Sequence, residues 1–144
     1  MELIITRGIP GAGKSTWARA WVADDPEKRV RVNRDDLRFM LFGKYYGVNE
    51  LAVTAVEVAA INAALRGGQS VVVDATHLHP GSVPKMRRVA DRHGATLVVK
   101  DFEIDVAEAI RRDAARSRSV GADVIRMMAG KRAGLLTAVP SGAS

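Results

Sequence analysis

No cysteine occurs in the 144 residues. Disulfides, thiolate metal sites and a cysteine nucleophile are therefore excluded. Long apolar runs are also missing: no stretch approaches the ~20 residues that a membrane-spanning helix needs. The N-terminal apolar run is broken by Arg7 too early to act as a secretory h-region. There is no internal repeat and no low-complexity block. These absences lead to an expectation of one soluble, intracellular domain, long enough for a real core. Residues 1–139 are expected to form that domain, with 140–144 as a loose tail. The formal charge of +6 is uneven, because windows 85–92, 111–118 and 126–132 each carry a net +3 while the remainder is net negative. Solvated helix faces with arginines for bound phosphates explain this, and so does a polyanionic substrate.

What is present is more specific. Residues 8–16 read Gly8-Ile-Pro10-Gly11-Ala12-Gly13-Lys14-Ser15-Thr16 and fit G-x-x-x-x-G-K-[ST], the phosphate-binding P-loop. A short apolar run, 2–7, precedes it, and a helical stretch follows. Gly8, Gly11 and Gly13 let the backbone turn where a Cβ would clash. Successive N–H groups then form an anion nest with a helix N-terminus behind it. Lys14 brings a charge to the β/γ-phosphates of a nucleoside triphosphate from a loop expected to face solvent. Ser15 offers a hydroxyl to Mg²⁺.

Periodicity and turn residues predict alternating strands and helices. Strands are expected at 2–7, 29–33, 70–74 and 95–102. Helices are expected at 14–24, 35–42, 50–65, 84–93, 106–118 and 123–131. Leu37, Met40 and Leu41 are expected on one face of the second helix. The helix 50–65 reads as core, and Trp17 and Trp21 read as helix-packing residues. This pattern predicts an α/β three-layer sandwich, with a parallel sheet of four or five strands, helices on both faces and a helical lid. Ligands in such sheets sit beyond the carboxyl ends of the strands. That rule gathers the P-loop, Asn33-Arg34-Asp35-Asp36 and Asp74-Ala75-Thr76-His77 into one cleft.

Val71-Val72-Val73-Asp74 has the form of a Walker B strand, whose carboxylate helps to hold Mg²⁺. In Asn33-Arg34-Asp35-Asp36-Leu37-Arg38, helix capping by Asn33 or Asp35 explains one or two polar residues but neither arginine. A carboxylate acting as base for an acceptor hydroxyl, with Arg38 one turn on to fix an acceptor phosphate, explains more. Arg34, Asp74 and Thr76 complete the candidate acceptor side.

Gly-x-Pro-Gly-x-Gly-Lys-Ser-Thr-Trp-Ala-Arg, followed by Asn-Arg-Asp-Asp-x-Arg, resembles the kinase domain of the bacteriophage polynucleotide kinase–phosphatases. The likeness continues through Gly67-Gly68-x-Ser70-Val71, Asp74-x-Thr76-x-Leu78-x-Pro80, Arg112-Asp113-x-x-Arg116 and Asp123-Val124-Ile125-Arg126-x-Met128. The resemblance implies transfer of the γ-phosphate of ATP, or another nucleoside triphosphate, to the 5′-OH end of DNA or RNA in end repair. It implies Mg²⁺ as cofactor, Asp35 as general base and Arg38 on the acceptor's first phosphodiester. Arg116 becomes the lid arginine on the donor phosphates, with Arg112 and Arg118 as weaker candidates. It also implies a cytoplasmic setting, as in a phage-infected cell. A P-loop small-molecule kinase and a nucleotide-dependent switch remain alternatives.

The chain departs from that family's pattern in having no Asp-x-Asp-Gly-Thr phosphatase motif. His77 and His79 stand where the pattern has amides, and loop or substrate-edge packing is their expected role. Tyr45 and Tyr46 lie in a loop near the presumed acceptor, where a base could stack.

Overall fold

The sheet is built by short β-branched runs that cannot bury themselves alone. In the computed structural model, which describes residues 1–137, the strands are β1 (Glu2–Arg7), β2 (Arg29–Val32), β3 (Ser70–Val73) and β4 (Thr96–Asp101). They form one four-stranded sheet in the order β2-β3-β1-β4, and every pairing is parallel. Among the described residues the sheet thus has the lower of the two expected strand numbers. The tail expected at 140–144 lies outside the described residues.

The helices are α1 (Lys14–Asp24), α2 (Arg34–Phe42), α3 (Glu50–Arg66), α4 (Ser82–His93), α5 (Val106–Ala114) and α6 (Ala122–Thr137). Strand alternation assigns them to layers. Leu3, Ile5, Val71 and Val73 face one side and pack with Ile61, Ala64 and Leu65 of α3 and Met86, Val89 and Ala90 of α4. Ile4 and Val72 face the other side and pack on Ala18, Trp17 and Trp21 of α1. The two tryptophans are half-buried and stacked at 6.1 Å, in the packing role expected of them. A third cluster of Ile9, Leu78, Ala109 and Ile125 holds α5 and α6 over the strand ends. There they cover the P-loop.

Three sequence expectations are corrected. The helix expected to reach Arg118 stops at Ala114, because the Asp113 carboxylate bends the chain back by accepting from Ser119 Oγ at 2.7 Å and from the Val120 and Gly121 N–H groups at 2.9 Å each. The last helix runs on past Lys131 to Thr137, through Gly130 and Gly134, while its N-terminal half packs Ile125, Met128 and Ala129 onto the third cluster. On α2 only Leu37 reaches the core. Met40 is 66% exposed and Leu41 39%, because α2 packs on α3 at one edge of the sheet rather than beneath it.

Gly8 shows how tightly the loop is fitted. A Cβ there would lie 2.7 Å from the Phe102 carbonyl oxygen, and backbone cannot yield as a side-chain tip can. Gly8→Ala should therefore destabilise the fold by about 1–3 kcal/mol, the usual cost of overpacking. Thermal melts of the two proteins check this; an unchanged midpoint would show that the β1 and β4 ends have slack.

Candidate phosphoryl-transfer site

The P-loop joins β1 to α1. Gly11 and Gly13 have φ of 87° and 94°, a left-handed backbone that glycine adopts without strain. Gly11 also lies under α5, where a Cβ would come 3.1 Å from the Ala109 carbonyl oxygen. Gly8 N–H donates to the Thr76 carbonyl at 3.1 Å, and Ala12 N–H to that of Ile9 at 3.4 Å. Thr76 thus acts here through its backbone. Helix α1 begins with no side-chain cap and no acidic residue in its first turn. Its positive end is left for an anion. Pro10 and Ser15 are half-buried along the loop, and Thr16 is exposed.

Lys14 is buried, contrary to the solvent-facing position expected of it. Its Nζ donates to the Ile9 carbonyl at 2.7 Å, so the side chain folds over its own loop. Burial pushes its pKa down to about 8; the nearby Asp74 charge opposes this and that of Arg116 adds to it.

Asp74, at the end of β3, is 2% exposed. Its Walker B position suggests a role at Mg²⁺, and the structure adds a partner that the sequence does not reveal. Arg31, from β2, places Nε at 2.9 Å and Nη2 at 2.7 Å from Asp74 Oδ2. The same guanidinium reaches Asp36 Oδ2 at 2.5 Å. Both Asp74 contacts fall on Oδ2. Oδ1 receives no hydrogen bond from the described residues and stays available for a cation or its water. No cluster of three or more His, Cys, Asp or Glu among the described residues makes a metal cage. The donor set of Ser15 and Asp74 suits Mg²⁺, which takes one or two protein oxygens and completes its shell with phosphates and water.

On the side expected to receive the acceptor, Asn33 caps α2 by accepting from the Asp36 N–H at 3.0 Å, and its amide donates to the Asp74 carbonyl at 2.9 Å. This sets Asp35 and Arg38 at the same sheet end as the P-loop. Asp35 Oδ1 lies 2.8 Å from Arg38 Nη1, which agrees with the shared helix face expected of them. Arg38 Nη2 also reaches Glu50 Oε1 at 2.7 Å, and Arg34 meets the same oxygen at 3.0 Å. Arg34 further donates to Thr54 Oγ1 at 2.9 Å. Glu50 is a member of the site that sequence reasoning misses. Hydrogen bonds from Arg38 and Arg34 hold its carboxyl down to about 2. Only its position at the start of a helix is visible in the sequence, not its link to arginines 12 and 16 residues away.

The lid arginines lie apart from one another. Arg112 Nη1 donates to the Gly11 carbonyl at 3.2 Å. Arg116 is exposed, and its charge is felt at Lys14. Arg118 turns to the other side, with Nη1 3.9 Å from Asp35 Oδ2. Tyr45 stacks on Phe39 at 5.1 Å, and Tyr46 is exposed. His77 sits at φ 47° with Nδ1 2.5 Å from the Thr6 carbonyl, and burial pushes its pKa down. His79 Nδ1 accepts from the Gly81 N–H at 2.9 Å. A cavity of about 640 Å³ opens beside these groups, bordered by Arg34, Glu57, Thr76, His77, Met128 and Lys131.

A glycine-rich anion nest, a buried lysine and a carboxylate across the cleft define a P-loop phosphotransferase fold. Residues 3–134 match the AAA_33 family, described as an AAA domain, and the chain belongs to that family. A putative bifunctional polynucleotide kinase/RNA ligase of Autographa californica nuclear polyhedrosis virus is 28% identical over 131 residues, which cover 81% of this chain and 18% of the viral protein. A chain of the Pnkp1/Rnl/Hen1 RNA repair complex superposes with a TM-score of 0.82 at 29% identity, over 94% of this chain and 45% of that one. A gluconokinase from Sinorhizobium meliloti 1021 shares the fold, with a TM-score of 0.61 at 18% identity over 99% of this chain and 78% of its own. The chain thus spans under half the length of the repair-complex chain and under a fifth of the viral relative. It has the α/β P-loop kinase fold.

The depressed Lys14 pKa makes nucleotide binding pH-dependent. Bound phosphates favour the protonated ammonium, so binding must draw in a proton once free Lys14 has lost its own. Affinity for ATP should hold below about pH 8 and then fall as pH rises, by up to tenfold per unit, until the bound-state pKa is reached. Titration calorimetry of wild type and Lys14→Ala across this range checks it. The variant should bind weakly and lose the fall; an identical fall in both would assign it to another group.

Proposed function

We propose that the chain is a polynucleotide 5′-hydroxyl kinase acting in nucleic-acid end repair, with ATP or another nucleoside triphosphate as donor. The observation that carries this reading is the Asp35–Arg38 pair, held by the Asn33 cap at the sheet end that bears the P-loop. A nucleotide switch has no use for a base and an acceptor clamp. The relatives named as polynucleotide kinase/ligase and RNA repair proteins support the same acceptor class.

The residues divide the chemistry. The nest N–H groups of Gly11 to Ser15 and the Lys14 ammonium hold the β- and γ-phosphates. Arg116, with Arg112, neutralises charge that grows on the donor oxygens. Ser15 and Asp74 would hold Mg²⁺, which when bound would supply positive charge to neutralise the donor. Asp35 orients the 5′-hydroxyl and takes its proton as the hydroxyl oxygen bonds to the γ-phosphorus. The bond from that phosphorus to the β-phosphate oxygen breaks, leaving a nucleoside diphosphate and a 5′-phosphorylated end. Arg38 fixes the acceptor's first phosphate, and Glu50 holds Arg38 in place until it arrives.

Labelled ATP offered with a 5′-OH oligonucleotide, a 3′-nucleotide, a nucleoside and a panel of sugars tests the acceptor class. Label should pass to the first two. Equal or better transfer to a sugar or free nucleoside would replace the reading with a small-molecule kinase. In the same assay Asp35→Asn should lower kcat on the order of 10²-fold or more, the range of general-base losses, while ATP binding persists. Arg116→Ala should lower turnover on a similar scale, with Arg116→Lys recovering only part, because lysine lacks the planar fork.

A further inference from the structure

The three lid arginines face different partners. Arg112 and Arg116 attend the P-loop, through the Gly11 carbonyl and the field at Lys14. Arg118 lies with its guanidinium 3.8 Å from the centroid of the Tyr45 ring. Tyr45 is stacked in turn on Phe39, a residue of α2, the helix that carries Asp35 and Arg38. On the C-terminal side, Asp113 pins residues 119–121 immediately after Arg118. The Arg118 side chain is thus oriented from both ends, by a ring and by a pinned loop.

Its donors, however, are open. The 3.9 Å separation from Asp35 Oδ2 is too long for a hydrogen bond. Among the described residues the Arg118 guanidinium donates to none. Arg38 and Arg34 differ sharply, with donors already given to Asp35, Glu50 and Thr54. The charge beside the proposed base with unused N–H groups is therefore Arg118, 35% exposed at its side chain. Stacking on a ring face leaves the edge of a guanidinium free, and that edge matches two phosphate oxygens.

We infer that Arg118 is an acceptor-side phosphate ligand. It grips the phosphate on the 3′ side of the reacting nucleotide, alongside Arg38, and Tyr45 is the platform that holds it flat. This rests on the polynucleotide reading of the site. A hydroxyl seated on Asp35 brings its own nucleotide next to Arg118, so the arginine selects acceptors that carry that phosphate over bare nucleosides.

Steady-state kinetics on Arg118→Ala, Arg118→Lys, Tyr45→Ala and Tyr45→Phe test the assignment. Each is run with a 5′-OH oligonucleotide, a 3′-mononucleotide and a nucleoside. Arg118→Ala should raise KM for the two phosphate-bearing acceptors by on the order of 10-fold or more, as for loss of a charged hydrogen bond. KM for ATP should not move, and the preference for oligonucleotide over nucleoside should shrink accordingly. Arg118→Lys should recover part of the loss. Tyr45→Ala should show a smaller rise of the same kind, and Tyr45→Phe, which keeps the ring, none. A raised KM for ATP would return Arg118 to the donor side and overturn the inference. A kcat loss shared equally by all three acceptors would make it a stabiliser of the transferring phosphoryl group and would overturn the inference too. A wild type that uses the oligonucleotide while Arg118→Ala is silent overturns this inference alone. A wild type that uses only nucleosides or sugars overturns it together with the polynucleotide reading.

Discussion

Asp74 is a buried acid, and the site follows from how the fold pairs it. A carboxylate that is 2% exposed carries a desolvation cost of several kcal/mol unless it is paired. Arg31 pairs it, and it does so from the neighbouring strand. Parallel pairing of β2 with β3 sets Arg31 opposite Val72, two residues before Asp74, so the guanidinium reaches forward over the strand ends. Its remaining N–H groups then catch Asp36 in the first turn of α2. One buried charge thereby fixes where α2 starts relative to the P-loop strand. Removing either partner would strand the other in low dielectric, which is far costlier than the pair is favourable.

The outer arginines obey different physics. Arg34, Arg38 and Glu50 form a partly exposed network. Exposed ion pairs of this kind contribute little to stability, since water screens them and long side chains lose entropy. Their worth lies in preorganisation. Arg38 is held within reach of Asp35 in advance, and in the proposed reaction an arriving phosphate has only to displace a half-exposed carboxylate. The same logic explains why α1 carries no acid in its first turn: a built-in carboxylate there would compete with the donor phosphates for the helix N-terminus.

Much of this is legible in the sequence, for reasons that particular residues make plain. The P-loop is read because its glycines and lysine are contiguous and each has a local job. The core strands are read because β-branched runs and period-two alternation are local signals, and they account for the buried set from Leu3 to Val73. The Asn33 cap and the Asp35–Arg38 spacing are helix-local as well. Residues that act across the fold stay hidden. Arg31 looks like the polar half of an alternating strand, because its partner Asp74 is 43 residues away. Glu50 looks like a favourable first-turn acid. Asp113 looks like one more charge on a helix continuing to Arg118, whereas its carboxylate ends that helix by binding three groups further along. Lys14 reads as a solvent-facing loop residue, since nothing in the motif says that α5 and α6 close over the loop.

The Asp113 turn also has a consequence for charge. Had α5 continued as a regular helix through Arg118, its arginines at 112 and 116 would share one face, and Arg118 would lie about 140° round the axis from that pair's midpoint, given about 100° per residue. The turn replaces that fixed geometry with a short loop. The loop leaves Arg112 at the Gly11 carbonyl while taking Arg118 across the cleft to Asp35 and Tyr45. On the proposed reading, donor and acceptor sides are thereby spanned by one short stretch of chain, from 112 to 118. Under the proposed reaction that arrangement is useful, because charge placed on both sides of a cleft by one segment excludes water from the reacting centre more fully than charge on one side alone.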